Sequence, residues 1–155
     1  MLKKLISAAE FNAVADIAKT NCFAFMAGLT EPDGLYDLPR TDPDECKLTI
    51  EVAFKWRCEY HGIKVRQVSS LEEASGRNAY IVFGWYRYGD FHCVRKNPDG
   101  TFEHKPDRKE PATAIDFRDI LEEYPEGYKV FVDEAEDWGN FFLNLLFCVK
   151  STWIN

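Results

Sequence analysis

Glycine and proline are scarce, nine and seven in 155 residues, which excludes a collagen-like, linker-rich or low-complexity chain. No apolar run approaches the roughly 18 residues of a membrane span. The nearest, Phe141 to Val149, is short and interrupted by Asn144, so no membrane partner is expected. Basic residues are in deficit, 19 Lys and Arg against 26 Asp and Glu, and no cationic cluster stands out. Binding to nucleic acid through counterion release is therefore not expected. The five cysteines, Cys22, Cys46, Cys58, Cys93 and Cys148, are an odd number without the spacing of a secreted disulfide framework, and they fit reduced thiols in a cytosol. Residues Met1 to Ser7 open like an export signal, but the apolar run stops at once and gives way to Glu10, Asn12 and Asp16. A cytoplasmic location follows as the expectation.

What is present is a core-forming composition. Apolar residues make up 46% of the chain, with four Trp, seven Tyr and twelve Phe, enough for one globular domain spanning 1–155 without metal or disulfide support. The net charge of −7 is not spread evenly. Residues 116–137 hold Asp116, Asp119, Glu122, Glu123, Glu126, Asp133, Glu134, Glu136 and Asp137 against only Arg118 and Lys129. That stretch is either a solvated face or a surface for a basic protein partner, in which case the chain is a small binding or inhibitor protein without catalysis.

Local patterns predict helices first and strands later. Ser7-Ala8-Ala9-Glu10 has the form of a capping box, and Phe11, Val14, Ala15 and Ala18 recur at helical spacing, predicting a helix over about 8–19. Thr20-Asn21 interrupts it and offers a new N-cap for the apolar run Cys22 to Ala27, which Gly28 ends. Residues 30–40 read as a loop able to shape a cleft. Asp42-Pro43-Asp44-Glu45 signals a helix from 43 to about 60, closed by Gly62. Strand signals follow at Ile63 to Val68 and Ala79 to Tyr88, with a short helix near Ser70 to Glu73 between them. Phe91 to Lys96 and Thr101 to Lys105 form a hairpin, a helix falls near Phe117 to Tyr124, and strands are expected at Tyr128 to Val132 and Phe141 to Val149. The predicted class is α+β, with N-terminal helices packed on a largely antiparallel sheet.

The hairpin makes neighbours of two of the three histidines. Asn97-Pro98-Asp99-Gly100 favours a type I turn with Gly100 at the left-handed position of a bulge. Asn97 then faces Thr101, Val94 faces His104, and His92 and His104 share one side of the ribbon on a diagonal. A thiol at a helix start has its thiolate favoured by the helix dipole, and a nearby imidazole lowers its pKa further. Cys22 meets the first condition. Cys58 and His61 have two-residue ligand spacing that suits zinc together with Cys22 or Cys93, but no second matching pair exists, and His61 beside Gly62 better suits a helix C-terminal cation. No metal and no cofactor is expected. In the run from Phe83 to Tyr88, Phe83 and Trp85 share one side and Tyr86 and Tyr88 the other, one set for packing and the other for sheet cover or a cleft wall.

The segments Asn21-Cys22-Phe23-Ala24, Gly89-Asp90-Phe91-His92 and Phe102-Glu103-His104-Lys105-Pro106 together resemble the layout of papain-like thiol hydrolases, most closely the NlpC/P60 and CHAP amidases. In those families a Cys opens a helix, a His begins a later strand, and a third polar residue, often His, follows on the next strand. The likeness spans about residues 22–106. The chain departs from it in lacking an Asp-Cys-Ser-Gly motif, in carrying Cys93 directly after His92, and in having Asp16 where a glutamine stands six residues before the nucleophile. The resemblance implies a papain-like cysteine peptidase or amidase acting on a peptide or protein substrate. Cys22 would be its nucleophile, His92 its proton shuttle and His104 the orienter, with the Cys22 amide and Asn21 near the oxyanion.

Overall fold

Six strands, all paired antiparallel, order the chain in a computed structural model that describes residues 5–31, 50–86, 90–125, 127–137 and 145–146. The helices are α1 (Ala8–Val14), α2 (Cys22–Ala27), α3 (Ile50–Tyr60) and α4 (Phe117–Glu123). The strands are β1 (Val65–Val68), β2 (Ala79–Tyr86), β3 (Asp90–Lys96), β4 (Phe102–His104), β5 (Thr113–Ile115) and β6 (Tyr128–Asp133). They lie in the order β1-β6-β2-β3-β4-β5, so β6 returns from the far end of the chain to sit between β1 and β2. The α+β class is thus observed. Among the described residues no helix is long and apolar enough to cross a membrane.

Both sheet faces are covered, as the alternation of side chains demands. Tyr80, Val82, Cys93 and Phe131 pack with Phe23, Met26 and Ala27 of α2 and with Phe54 and Cys58 of α3. On the other face Ile81, Phe83 and Val94 pack against Ile120, Phe117 and Tyr124 of and beside α4. Phe83, which the sequence places on one side of an aromatic run, meets the rings of Phe117, Tyr124 and Tyr128. The side chains of Trp85, Tyr86 and Tyr88 lie outside what is described.

Several boundaries differ from the sequence expectation. The helix predicted over 8–19 is two pieces: α1 stops at Val14, Ala15 is extended, and a 3-10 turn runs over Ile17–Lys19. Asp16 is the cause, because its carboxylate caps the Ala18 amide and its carbonyl accepts from the Thr20 hydroxyl, local bonds that compete with a continuous helix. Only Ile50–Tyr60 of the helix expected over 43–60 is described; the capping sequence at 42–45 and the loop at 32–40 lie outside the described residues. Of the strand expected at Phe141 to Val149, Leu145 and Leu146 are helical and the remainder lies outside. A short apolar run does not separate the two periods by itself. β5 carries no strand signal, and it is recruited as the partner of β4.

The buried charges of the described residues are cationic. Arg57 lies over the rings of Phe23 and Phe91, and Lys96 donates to the carbonyls of Ala74, Arg77 and Asn97. Lys105 donates to those of Asp107 and Arg108. Arg95, only 1% exposed, stacks over Phe25 and reaches the Glu103 carboxylate at 3.4 Å. Glu103 also accepts from the Ala8 amide at 2.9 Å and from Asn97 Nδ2 at 2.7 Å, so one carboxylate joins α1, β3, β4 and the turn. Removing one member of a buried ion pair strands the other. Glu103→Ala is expected to lower unfolding free energy by about 3 kcal/mol, with Glu103→Gln intermediate because it retains one acceptor. Urea unfolding that finds the Ala variant within ~0.5 kcal/mol of wild type, the size of an ordinary surface change, contradicts this role.

Candidate functional site

The turn Asn97-Pro98-Asp99-Gly100 sets the geometry of the site. The Asn97 amide donates to the Thr101 carbonyl at 2.8 Å, the Gly100 amide donates to the Asn97 carbonyl at 3.0 Å, and Gly100 has φ +89°, a conformation that strongly favours glycine. From that turn the register is Lys96 with Phe102, Arg95 with Glu103 and Val94 with His104. His92 and His104 consequently project from one face. His92 Nε2 and His104 Nδ1 are 2.7 Å apart, and the two rings meet edge to face. Both are buried.

The third member arrives from the opposite side of the sheet. α2 begins at Cys22 because Asn21 caps it, its side-chain oxygen accepting from the Ala24 amide at 2.7 Å. Gly28 ends the helix in the left-handed conformation. Cys22 is half-buried against β3. The β3–β4 ladder stops at Val94 and His104, one step short of the slot in which the Cys93 amide would find the Lys105 carbonyl, since hydrogen-bonded pairs recur every second residue. Cys22 comes in beside this end of β3, packed against the cluster that holds Cys93, and its acidity responds to both Cys93 and His92. His92 Nε2 is engaged with His104, which leaves Nδ1 as its other ring nitrogen.

Electrostatics divide the thiols by role. The Cys22 pKa lies well below the ordinary thiol range, held there first by the Cys93 thiol and then by the hydrogen bond and charge of His92, against the opposing effect of burial. Burial pushes the Cys93 thiol well up, and its bond to Cys22 adds to this. Burial likewise raises Cys58. Lys105 feels the Cys22 charge as well. His104 is lowered to about 4, by burial first and by the charge of His92 second, so near neutral pH it is an uncharged acceptor for His92 Nε2–H.

The structure brings together Cys22, His92 and His104. Asn21 sits beside them, with its side-chain oxygen occupied by the helix cap and only its NH₂ left to donate. Two contributors escape the sequence reading. Cys93 is visible there as an odd residue after His92 and as an alternative zinc ligand, although alternation along the strand places it on the α2 face. Tyr124 stacks on His92 with centroids 5.4 Å apart and planes within 7°, and nothing in the spacing 92 to 124 announces it. Cys58 is in the core and His61 lies against the Phe23 and Tyr60 rings. Among the described residues no three ligating side chains close on a metal.

The acidic stretch 116–137 is divided. Asp116 caps α4 through the Arg118 amide, whereas Asp137 pairs with Arg66 and Arg77, and Glu136 with Arg77 and Asn78. A hollow of about 450 Å³ beside Phe102, Ile115 and Phe117 opens at the turn end of the hairpin, away from Cys22.

Compared with known protein families, with curated proteins and with solved structures, the chain matches none. Its site rests on its own geometry.

Because His104 titrates near 4 when folded and near its ordinary 6.5 when unfolded, the unfolded chain takes up a proton between these values that the folded chain refuses. Stability contributed in this way is intact above about pH 6.5 and falls as the pH drops toward 4, by roughly 3 kcal/mol. His104→Asn is expected to flatten that part of the profile. Urea titrations at pH 7 and 4.5 read it, and an equal loss in both proteins contradicts the assignment.

Proposed function

We propose that this protein is a papain-like cysteine hydrolase that cleaves an amide, peptide or isopeptide bond through a thioester intermediate. The observation that carries the reading is the buried His92–His104 hydrogen bond at 2.7 Å on the strand against which Cys22 packs, with the thiol held toward its ionised form by Cys93 and His92. A helix opening with the thiol and packed on an antiparallel sheet that bears both histidines supports the papain-like layout.

The chemistry runs as follows from the atoms available. Cys22 loses its proton to His92 Nδ1, and the imidazolium then donates to the sulfur from Nδ1 and to neutral His104 from Nε2. The low basicity of His104 keeps the proton on His92, where the leaving group needs it. Thiolate attack on the carbonyl carbon forms the C–S bond and places negative charge on oxygen. The Cys22 amide, at the first position of α2 with no intrahelical acceptor, is the nearest backbone donor for that oxygen, and the Asn21 NH₂ is the second. His92 passes its proton to the departing amine as the C–N bond breaks. Water then attacks the thioester, with His92 as base, and regenerates the thiol. Tyr124, parallel to the His92 ring, restricts its rotation.

The test is selective alkylation. Iodoacetamide at pH 6 is expected to modify Cys22 and spare Cys58, and His92→Ala should slow Cys22 labelling at least ~10-fold, the effect of a one-unit rise in thiol pKa. Peptide mapping by mass spectrometry gives both rates. Labelling that is indifferent to His92 removes the basis of the proposal, and profiling cleaved substrates with wild type against Cys22→Ala identifies the bond class.

A further inference from the structure

The hydrolytic reading leaves one group of the site without a chemical step: the Cys93 thiol. It is fully buried on the α2 face of β3, in the core cluster against which Cys22 packs, both thiols are free, and the acidity of each responds to the other. Hydrolysis needs one sulfur. Two packed together at the junction of α2 and β3 form a dithiol.

We propose that Cys22 and Cys93 are a redox-modification site at which a hydroperoxide drives formation of a reversible disulfide between them, withdrawing the Cys22 nucleophile. The Cys22 thiolate attacks the distal peroxide oxygen, the O–O bond breaks, and the remaining oxygen leaves as an alcohol or as water with the proton that Cys22 had given to His92. Cys22 is then a sulfenic acid, oxidised by two electrons, while the peroxide is reduced by the same two. The Cys93 sulfur attacks the Cys22 sulfur, the S–O bond breaks, and the hydroxide leaves as water with the proton that Cys93 gives up. An external dithiol reverses the bond by thiol–disulfide exchange.

The asymmetry of the two thiols suits this order. Cys22 is half-buried and held toward the thiolate, the form that reacts with peroxides, whereas burial keeps Cys93 protonated and unreactive until a sulfenic acid stands beside it. A disulfide needs its sulfurs about 2 Å apart with the Cβ atoms close. A contact between a helix start and a strand face supplies the approach, because α2 begins at Cys22 and can adjust its first turn without moving the sheet. Cys58 shares the core cluster, which makes it the internal control. Without Cys93, a sulfenic acid at Cys22 proceeds to the sulfinic acid, which dithiols do not reduce.

The bond requires only the two thiols, while its effect on hydrolysis rests on the function proposed above, so the two readings fail separately. Full-length protein treated with hydrogen peroxide, alkylated and digested without reductant should yield a crosslinked peptide pair containing Cys22 and Cys93, two hydrogens lighter than the sum of its parts. Cys22 alkylation should be lost and then restored to its starting level by dithiothreitol. In Cys93→Ser, checked for an unchanged thermal melt, Cys22 should accumulate as sulfinic acid and alkylation should not return. The wild-type crosslink decides the matter even if the variant does not fold. Cys22 found as sulfinic acid in wild type, crosslinked to Cys58, or still fully alkylatable after peroxide overturns the proposal, and none of these outcomes touches the dependence of labelling on His92.

Discussion

A hairpin register tolerates no slip when one face carries a paired function, because a shift of one residue sends every side chain to the other side of the sheet. Here the four residues 97–100 hold that register. Gly100 at φ +89° places Asn97 opposite Thr101, and counting outward puts Val94 against His104 and His92 within 2.7 Å of it. Glu103 secures the same segment by accepting from Asn97, Ala8 and Arg95. The imidazole pair is thus a consequence of backbone pairing set at the turn, and its precision is that of a β-ladder.

The sulfur depends on how α2 meets the sheet. β4 pairs with β3 over only three residues, and Lys105 then turns its ammonium to the carbonyls of 107 and 108. The start of α2 packs against β3, with Cys22 against the cluster that holds Cys93. The thiol is thereby brought to the strand that also bears His92.

Much of this was legible in the sequence because the turn chemistry is local. Asn-Pro-Asp-Gly specifies its own geometry, Asn21 and Gly28 bracket α2 by capping rules, and the alternation of 92, 94 and 104 needs nothing distant. What escaped reading was tertiary or competitive. Asp16 ends a helix that periodicity would continue, since its side chain offers a cap two residues on. β5 exists because β4 needed a neighbour, and no periodicity in Thr113-Ala114-Ile115 announces that. Tyr124 reaches His92 only after α4 has folded onto Ile81 and Phe83. The dipole of a six-residue helix was expected to activate Cys22, but the first cause is the neighbouring thiol, which spacing along the chain does not reveal.

The chain is acidic overall, yet among the described residues its buried ionic side chains, Arg57, Arg95, Lys96 and Lys105, are all basic. Their charge is met by ring faces, backbone carbonyls and the Glu103 carboxylate. Loss of any one of these partners leaves a buried charge unanswered, so this interior is specified by charge as well as by packing.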